Sequence, residues 1–156
     1  MHTNTPSKRF VQLATWSAVM TLAACSGADA TLGLQEPIRL TGGQYVDEGP
    51  PEASAAGPSI TAIDALSGRV RYGMRGKFVA GRTTTEATSV AAWLDGTGSG
   101  YWIRPVGAPS PADGNERTFS LDLDFSTELP PGRYDLRLAA LNSAGLAGES
   151  RRLGSV

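Results

Sequence analysis

The stretch Phe119-Ser-Leu121-Asp-Leu123-Asp-Phe125 decides the fold class, because every second residue in it is large and apolar. Successive side chains of a β-strand point to opposite faces, so this period of two predicts a strand with one face on a core and the other towards water. The stretch Tyr134-Asp-Leu136-Arg-Leu138-Ala-Ala140 repeats the alternation. We expect the two strands to contribute facing or adjacent layers of one core.

Short runs of the same kind recur from Ser59 onward, separated by glycine, proline and other turn-forming residues. With the two runs above they give seven predicted strands: Ile60–Ile63, Val70–Tyr72, Lys77–Ala80, Ser89–Leu94, Tyr101–Val106, Phe119–Phe125 and Tyr134–Ala140. No stretch after residue 24 keeps apolar residues at helical spacing without interruption by glycine, proline or a run of β-branched residues. The pattern therefore predicts an all-β sandwich or barrel of about seven strands.

The amino-terminal residues have the composition of a secretory signal. A positive segment ending in Lys8 and Arg9 precedes an apolar run over residues 10–24, and the run ends in Leu22-Ala23-Ala24-Cys25. The apolar run spans 15 residues, whereas a helix needs roughly 20 to cross a bilayer. A cleavable signal peptide is therefore favoured over a membrane-spanning anchor.

Leu22-Ala23-Ala24-Cys25 resembles the lipobox of bacterial lipoproteins at all four positions. The resemblance implies that residues 1–24 are removed as a signal peptide, and that Cys25 is acylated and holds the protein on a membrane of the cell envelope. Ser26 follows the cysteine where an inner-membrane retention signal would favour Asp, which implies the outer membrane. The alternative is an ordinary secretory signal, cut near the same place, that leaves a free thiol.

Composition excludes several classes of function. Removal of the signal leaves 156 − 24 = 132 residues, enough for one domain and a tether, with a net charge of 12 − 15 = −3. This mild acidity argues against a nucleic-acid partner. The single histidine, His2, lies in the signal, so neither imidazole nor free thiol remains for Ser-His-Asp or Cys-His catalysis, for a zinc site or for a disulfide. We expect no catalytic residues, no cofactor and no metal.

Residues 25–58 differ in composition from the rest of the chain. They are small, polar or rich in glycine and proline, a mixture that buries little apolar surface and favours a semi-flexible spacer. Pro37-Ile38-Arg39-Leu40 is the exception, since its alternation fits a short strand or a docked segment. The predicted organisation is thus a signal peptide over 1–24, a lipidated cysteine with a flexible linker over 25–58, and a β-sandwich domain over 59–156.

Three motifs in residues 59–150 resemble bacterial immunoglobulin-like or fibronectin-III-like domains. Gly132-Arg-Tyr134-Asp-Leu136 resembles the corner that opens strand F, with Leu136 where antibody-type domains have cysteine. Residues 139–145 resemble the turn between strands F and G, and residues 81–94 the passage from strand B to strand C. The resemblance implies a disulfide-free immunoglobulin-like β-sandwich, a scaffold for adhesion, spacing and binding that by itself transfers no chemistry.

Trp93, Tyr101 and Trp102 flank a glycine-rich loop and are the candidate binding residues. Exposed together, their rings would form a platform for a sugar ring or a peptide, whereas burial would assign them to the core. Trp93 matches the tryptophan of strand C, but its parity places it opposite the inward-facing Val90, Ala92 and Leu94, and this conflict stays open. We expect a structural or interaction module whose partners are the membrane, through the lipid, and an envelope protein or glycan. A carbohydrate- or peptide-binding adhesin is the alternative.

Three further features have competing interpretations. Asp95-Gly-Thr-Gly-Ser-Gly100 imitates the start of a calcium loop but has Val106 in place of the closing Glu, so a flexible connection is favoured. Asp122 and Asp124 lie on the same face of a predicted strand. They could form a catalytic pair, or they could belong to a strand face that is exposed to water. Two pairs of cations fit a solvated strand face, with contact to lipid phosphates as the alternative: Arg69 and Arg71, and Arg75 and Lys77.

Overall fold

The computed structural model describes residues 36–98, 100–109 and 114–156. The predicted signal peptide and Cys25 lie outside the described residues. The described part contains nine strands: β1 (Ile38–Leu40), β2 (Gln44–Val46), β3 (Ile60–Arg71), β4 (Met74–Thr84), β5 (Ser89–Leu94), β6 (Tyr101–Pro105), β7 (Glu116–Phe125), β8 (Asp135–Leu141) and β9 (Arg151–Ser155). No helix long and apolar enough to cross a membrane occurs among these residues.

The strands form two antiparallel sheets that pack face to face. The four-stranded sheet has the order β1-β7-β4-β3 and the five-stranded sheet the order β2-β6-β5-β8-β9. The core between them takes Leu121 and Leu123 from β7 and Leu136 and Leu138 from β8, all fully buried. The predicted all-β sandwich is confirmed, with nine strands instead of seven, and β7 and β8 provide facing layers of its core.

Two of the additional strands come from the segment predicted to be a linker. β1 pairs with β7 and β2 with β6, and Ile38 and Leu40 are only 2% and 1% exposed in the core. The alternation noted at Pro37–Leu40 therefore forms a strand, so the sandwich already includes Ile38 and does not start at Ser59. The third additional strand, β9, pairs with β8 along the edge of the five-stranded sheet.

A long hairpin joins β3 and β4. The sequence pattern predicted a break at Gly68, but Gly68 lies within a continuous β3 and pairs with Lys77 of β4. The connection is the two-residue turn Tyr72-Gly73, in which both φ angles are positive, 48° and 80°. Such a turn matches the right-handed twist of a hairpin and favours asparagine or glycine at both positions.

The two central strands of the five-stranded sheet are buried on both faces. In β5, Val90, Ala92 and Leu94 face the main core, while Ala91 and Trp93 belong to a second cluster with Ala139, Leu141 and Ala147. Trp93 is only 4% exposed. Trp93 can therefore be buried although it points away from Val90, Ala92 and Leu94, since the outer face of this sheet is also covered. The cover includes Ala53 and Ser54, which contact Ala147 through a parallel bridge and a 2.8 Å backbone hydrogen bond.

The predicted corner before strand β8 is formed. The Tyr134 hydroxyl donates a 2.9 Å hydrogen bond to the Pro130 carbonyl, and this fixes the connection between β7 and β8. The φ of Gly132 is not positive, so a left-handed backbone does not explain this glycine. A Cβ at Gly132 would lie 3.2 Å from the Tyr134 hydroxyl, so glycine there makes room for the ring.

Candidate functional site

The three candidate binding rings do not form a shared exposed surface. Trp102 is 8% exposed and belongs to the main core, whereas Trp93 lies in the second cluster on the opposite face of the sheet. Tyr101 packs half-buried against that second cluster, and its burial, together with the negative charge of Glu48, raises the pKa of its hydroxyl. These three rings therefore do not form the exposed platform for a sugar ring or a peptide that the sequence left open.

Trp102 instead serves as a core residue next to β2. The ring centroids of Trp102 and Tyr45 are 5.7 Å apart and the ring planes are inclined by 53°. Aromatic pairs prefer tilted arrangements of this kind. The Tyr45 hydroxyl accepts a 3.0 Å hydrogen bond from the Gly100 amide. The Trp102 indole nitrogen is buried without a hydrogen-bond partner among the described residues, so this ring contributes through packing.

The loop resembling a calcium site has its carboxylate engaged elsewhere. One oxygen of Asp95 accepts a 3.0 Å hydrogen bond from the Trp93 indole nitrogen, and the other pairs with the Arg137 guanidinium. No cluster of three or more metal-ligating side chains occurs in the described ranges. Asp95 thus anchors the end of β5 to β8.

Asp122 and Asp124 share one cation. The Arg69 guanidinium approaches Asp122 at 2.5 Å and Asp124 at 2.9 Å. Arg69 is on β3 and the two carboxylates are on β7, so the side chain crosses β4 at Gly76, where a Cβ would lie 3.2 Å from its terminal nitrogen. A carboxylate pair held by a cation in this way fits a cross-strand clasp better than acid-base chemistry.

A second clasp lies on the same outer face. Arg82 of β4 bonds Asp64 on β3 and Glu116 on β7, at 3.2 Å and 2.7 Å. Both partners raise the pKa of the Arg82 guanidinium, mainly through the hydrogen bond to Asp64. The four-stranded sheet is thus bridged on its outer face by two arginines, each linking strands on either side of β4.

The β3–β4 hairpin carries an exposed apolar end. Val70 is 80% exposed, Tyr72 is 99% exposed and Met74 is 43% exposed. With Leu66, at 46%, they make four of the five large apolar side chains that are exposed among the described residues. We call residues 70–75 the hairpin tip. Val70 and Met74 lie on opposite faces of the hairpin, with Tyr72 in the turn between them. Large exposed apolar side chains grouped in this way mark an interaction site more often than scattered ones do.

A cleft of about 550 Å³ lies beside the hairpin tip, within the size range of ligand sites. One wall is the side of the hairpin that faces the sandwich, and the other is the connection after β7, with Tyr134 and Val156. The lining residues are Gly68, Arg69, Val70, Gly73, Arg75, Gly76, Lys77, Phe125, Ser126, Thr127, Leu129, Pro130, Pro131, Gly132, Tyr134 and Val156. The Tyr134 corner therefore positions one wall of the cleft.

Two cations in the cleft have no carboxylate partner. Arg75 and Lys77 are on β4, share a face with the core residue Val79 and pair with Phe125 and Leu123, so they lie at the end of the core that borders the cleft. Neither forms an ion pair with any carboxylate in the described part of the chain. Arg69, by contrast, is neutralised by its two aspartates. The site thus combines two unpaired cations with an apolar wall.

The chain enters the sandwich at this same end. The Ser126 amide, on the rim of the cleft, donates a 3.0 Å hydrogen bond to the Pro37 carbonyl, and Ile38 pairs with Phe125, the last residue of β7. Phe125 also pairs with Arg75. The described chain therefore enters the sandwich beside the hairpin tip and the cleft.

The sequence pattern indicates the cations of this site but not its exposed apolar residues. It assigned Val70–Tyr72 to a strand of the sandwich, whereas the structure places Tyr72 in the turn at the end of a protruding hairpin. The dipeptide Tyr72-Gly73 between two alternating runs was the available signal. No family model, curated protein or solved structure matches this chain.

Proposed function

We propose that the protein is a lipid-anchored, non-catalytic interaction module of the bacterial cell envelope. Acyl chains on Cys25 attach it to a membrane, the outer membrane being favoured by Ser26. Each buried methylene contributes about 0.8 kcal/mol, so two or three chains hold a protein stably where one does not. The immunoglobulin-like sandwich supplies the rigid body, and the hairpin end supplies its contact surface.

The observation that carries this proposal is where the sandwich begins. Ile38 follows Cys25 by 38 − 25 = 13 residues, and a chain of that length reaches at most about 45 Å when fully extended. A linker up to residue 58 would have allowed more than twice that reach. The hairpin end, where the chain enters, is thereby kept within a short distance of the anchoring membrane.

Strand order supports the immunoglobulin-like assignment. β3, β4 and β7 take the places of strands A, B and E, while β6, β5, β8 and β9 take those of C′, C, F and G. β1 and β2 extend the two sheets at the edges next to β7 and β6. Tyr134 occupies the start of strand F, and its hydroxyl bonds a carbonyl four residues upstream, as in the tyrosine corner of these domains.

A non-catalytic role fits the arrangement of the carboxylates. Asp122 and Asp124 are held by Arg69, and Asp95 is held by Arg137 and Trp93. Cross-strand clasps of this kind stabilise a sheet and leave its carboxylates without a role in proton transfer. The adhesin alternative depended on Trp93, Tyr101 and Trp102 being exposed together. The burial of Trp93 and Trp102 does not favour it.

Intact mass and detergent partitioning of protein purified from its native membrane test the anchor. We expect a chain beginning at Cys25, with the added mass of two or three acyl chains, that partitions into the detergent phase. The matched variant Cys25→Ala should lack this mass and should not be processed at residue 25. A water-soluble wild-type product with a free thiol would contradict the proposal.

A further inference from the structure

We propose that the hairpin tip and the adjoining cleft dock onto an anionic lipid bilayer, so that the domain lies on the membrane that holds its anchor. This inference rests on the proposed function for its geometry, because the Cys25 anchor brings the surface to the lipid. Val70, Tyr72 and Met74 enter the headgroup region, and Arg75 and Lys77 contact lipid phosphates. The observations that carry it are independent of one another.

The first observation is the pattern of exposure. Val70 and Tyr72, at 80% and 99% exposed, project from a part of the hairpin that the second sheet does not cover. Tyrosine combines an apolar ring with a polar hydroxyl and is enriched at the level of lipid headgroups for this reason. Leu146, by contrast, is a single exposed apolar residue beyond the far end of β8.

The second observation is the identity of the residue in the turn. Tyr72 is the one non-glycine residue in the described ranges with a positive φ, at 48°. Asparagine or glycine would fit this turn with less strain than an aromatic side chain. A fully exposed ring makes no contact within the domain that would offset this strain. A contact between the Tyr72 ring and a partner outside the domain would explain why tyrosine is found at this position.

The third observation is the charge. Arg75 and Lys77 lie in the cleft behind the tip without a carboxylate partner among the described residues. Long cationic side chains near an apolar surface extend their charged ends to phosphates at a membrane interface. Each cation near an anionic bilayer contributes about fivefold to binding, the equivalent of about 1 kcal/mol. The exposed acids Glu36 and Glu128 also lie at this end of the sandwich and lower its net positive charge. We therefore assign phosphate binding to the cleft and not to the whole end of the sandwich.

The fourth observation is orientation. The described chain reaches β1 beside Phe125, on the rim of the cleft, so it enters the sandwich at the end that carries the hairpin tip. With the anchor at most about 45 Å of chain away, the tip is held at a high effective concentration of lipid. A weak intrinsic affinity of the tip for the bilayer is then sufficient for docking.

A fluorophore at the tip tests the proposal in the full lipidated protein. Met74→Cys is labelled with an environment-sensitive dye, and Leu146→Cys is the matched control because both side chains are 43% exposed. Each protein is reconstituted in phosphatidylglycerol or in phosphatidylcholine vesicles that carry lipid-borne quenchers. We expect a blue shift and strong quenching at position 74 in phosphatidylglycerol, with neither change at position 146.

Two sets of variants separate the apolar and the ionic contributions. Tyr72→Asn fits the turn better than tyrosine, so it should keep or raise the melting temperature while it reduces quenching at position 74. Arg75→Gln with Lys77→Gln should weaken docking about 25-fold in phosphatidylglycerol vesicles, fivefold for each cation, with little change in phosphatidylcholine. Quenching that is unaffected by these variants would overturn the assignment of the surface.

The outcomes distinguish this inference from the proposed function. Equal emission at positions 74 and 146 in an acylated protein would overturn the docking and leave the anchor intact. Crosslinking of position 74 to an envelope protein, without quenching by lipid, would overturn it in favour of a protein partner. If Cys25 carries no acyl chain, the anchor fails, and cosedimentation of the soluble protein with phosphatidylglycerol vesicles, compared with its Tyr72→Asn variant, still decides the docking.

Discussion

The outer faces of the two sheets are built in opposite ways. On the four-stranded sheet, Arg69 and Arg82 bridge carboxylates across three strands and stay in contact with water. On the five-stranded sheet, Ala91, Trp93 and Ala139 are buried beneath a second layer that includes Ala147. One sheet therefore has a single buried face and the other has two.

The difference follows from the sequences of the strands. β7 alternates apolar and polar residues, which is typical of a strand with one face in a core. β5 is apolar over residues 90–94, and β8 alternates at first and then ends in an apolar run over residues 138–141. Such runs are typical of strands buried on both faces. Between β2 and β3 the chain passes Ala147, next to the apolar outer face of these strands. A segment with the composition of a linker thus lies against Ala147, a residue of the second cluster.

The largest effect is expected from Trp93→Ala. The ring is 4% exposed on the covered face, so its removal should cost about 3–5 kcal/mol of unfolding free energy. Chemical denaturation measures this. Leu146→Ala, at a half-exposed position, should change stability by less than about 0.5 kcal/mol. Equal effects of the two substitutions would mean that the outer face is not covered.

A smaller effect is expected from Gly57→Ala. A Cβ at Gly57 would collide with the backbone carbonyl of Ala147, so the crossing segment must shift, at a cost of about 1–3 kcal/mol. Acrylamide quenching of tryptophan fluorescence should increase as Trp93 loses its cover. Gly49→Ala is the control in the same segment, since a Cβ there meets no atom within 4 Å. Unchanged quenching in Gly57→Ala would remove residues 53–57 from the cover.

On the charged face, Arg69→Gln should destabilise the protein by about 1–2 kcal/mol, because it leaves Asp122 and Asp124 together without their cation. The loss should shrink in 1 M salt, where charges are screened over a few ångströms. Arg151→Gln, at an exposed site with no ion pair among the described residues, should be nearly neutral. A salt-independent loss would indicate packing of the arginine stem as the cause.

The smallest effect concerns the ion pair at the margin of the covered face. The Arg152 guanidinium, and then the Ser155 hydroxyl, lower the pKa of the Asp135 carboxyl through hydrogen bonds. A lowered folded-state pKa stabilises the fold above the ordinary value, about 3.9. This contribution is lost as the pH falls through the folded-state pKa. Carboxyl NMR of Arg152→Gln should show the pKa of Asp135 moving up, and an unchanged titration would contradict the pairing.

Much of the fold could be predicted from local patterns. The alternation in Phe119–Phe125 defines β7 because burial on one face leaves a strict period of two. Gly132 and Tyr134 mark the corner because a tyrosine hydroxyl reaches a carbonyl only a few residues away. β9 was missed because its sequence has no clear alternation, and β1 was only an exception in a polar segment. Short edge strands depend on their neighbours more than on their own residues.

The candidate site was predicted only in part, for a related reason. The cations of the hairpin are visible in the sequence, but only the structure shows that Arg69 is neutralised and that Arg75 and Lys77 are not. Ion pairing depends on which strands are neighbours, and β3 and β7 are separated by β4 and by more than forty residues of chain. The exposure of Tyr72 likewise depends on how far the hairpin extends past the second sheet.

Local patterns are sufficient to predict an all-β fold after residue 24 with two strongly alternating strands, and residue identity alone shows a single histidine, a single cysteine and a stretch, Leu22-Ala23-Ala24-Cys25, that resembles a lipobox. Only the folded structure shows that Trp93 is buried on the outer face of its sheet, that the described chain enters beside the hairpin tip, and that Arg75 and Lys77 pair with no carboxylate of the described residues. Each of these depends on segments far apart in the chain coming together, and local patterns carry no information about which segments will meet.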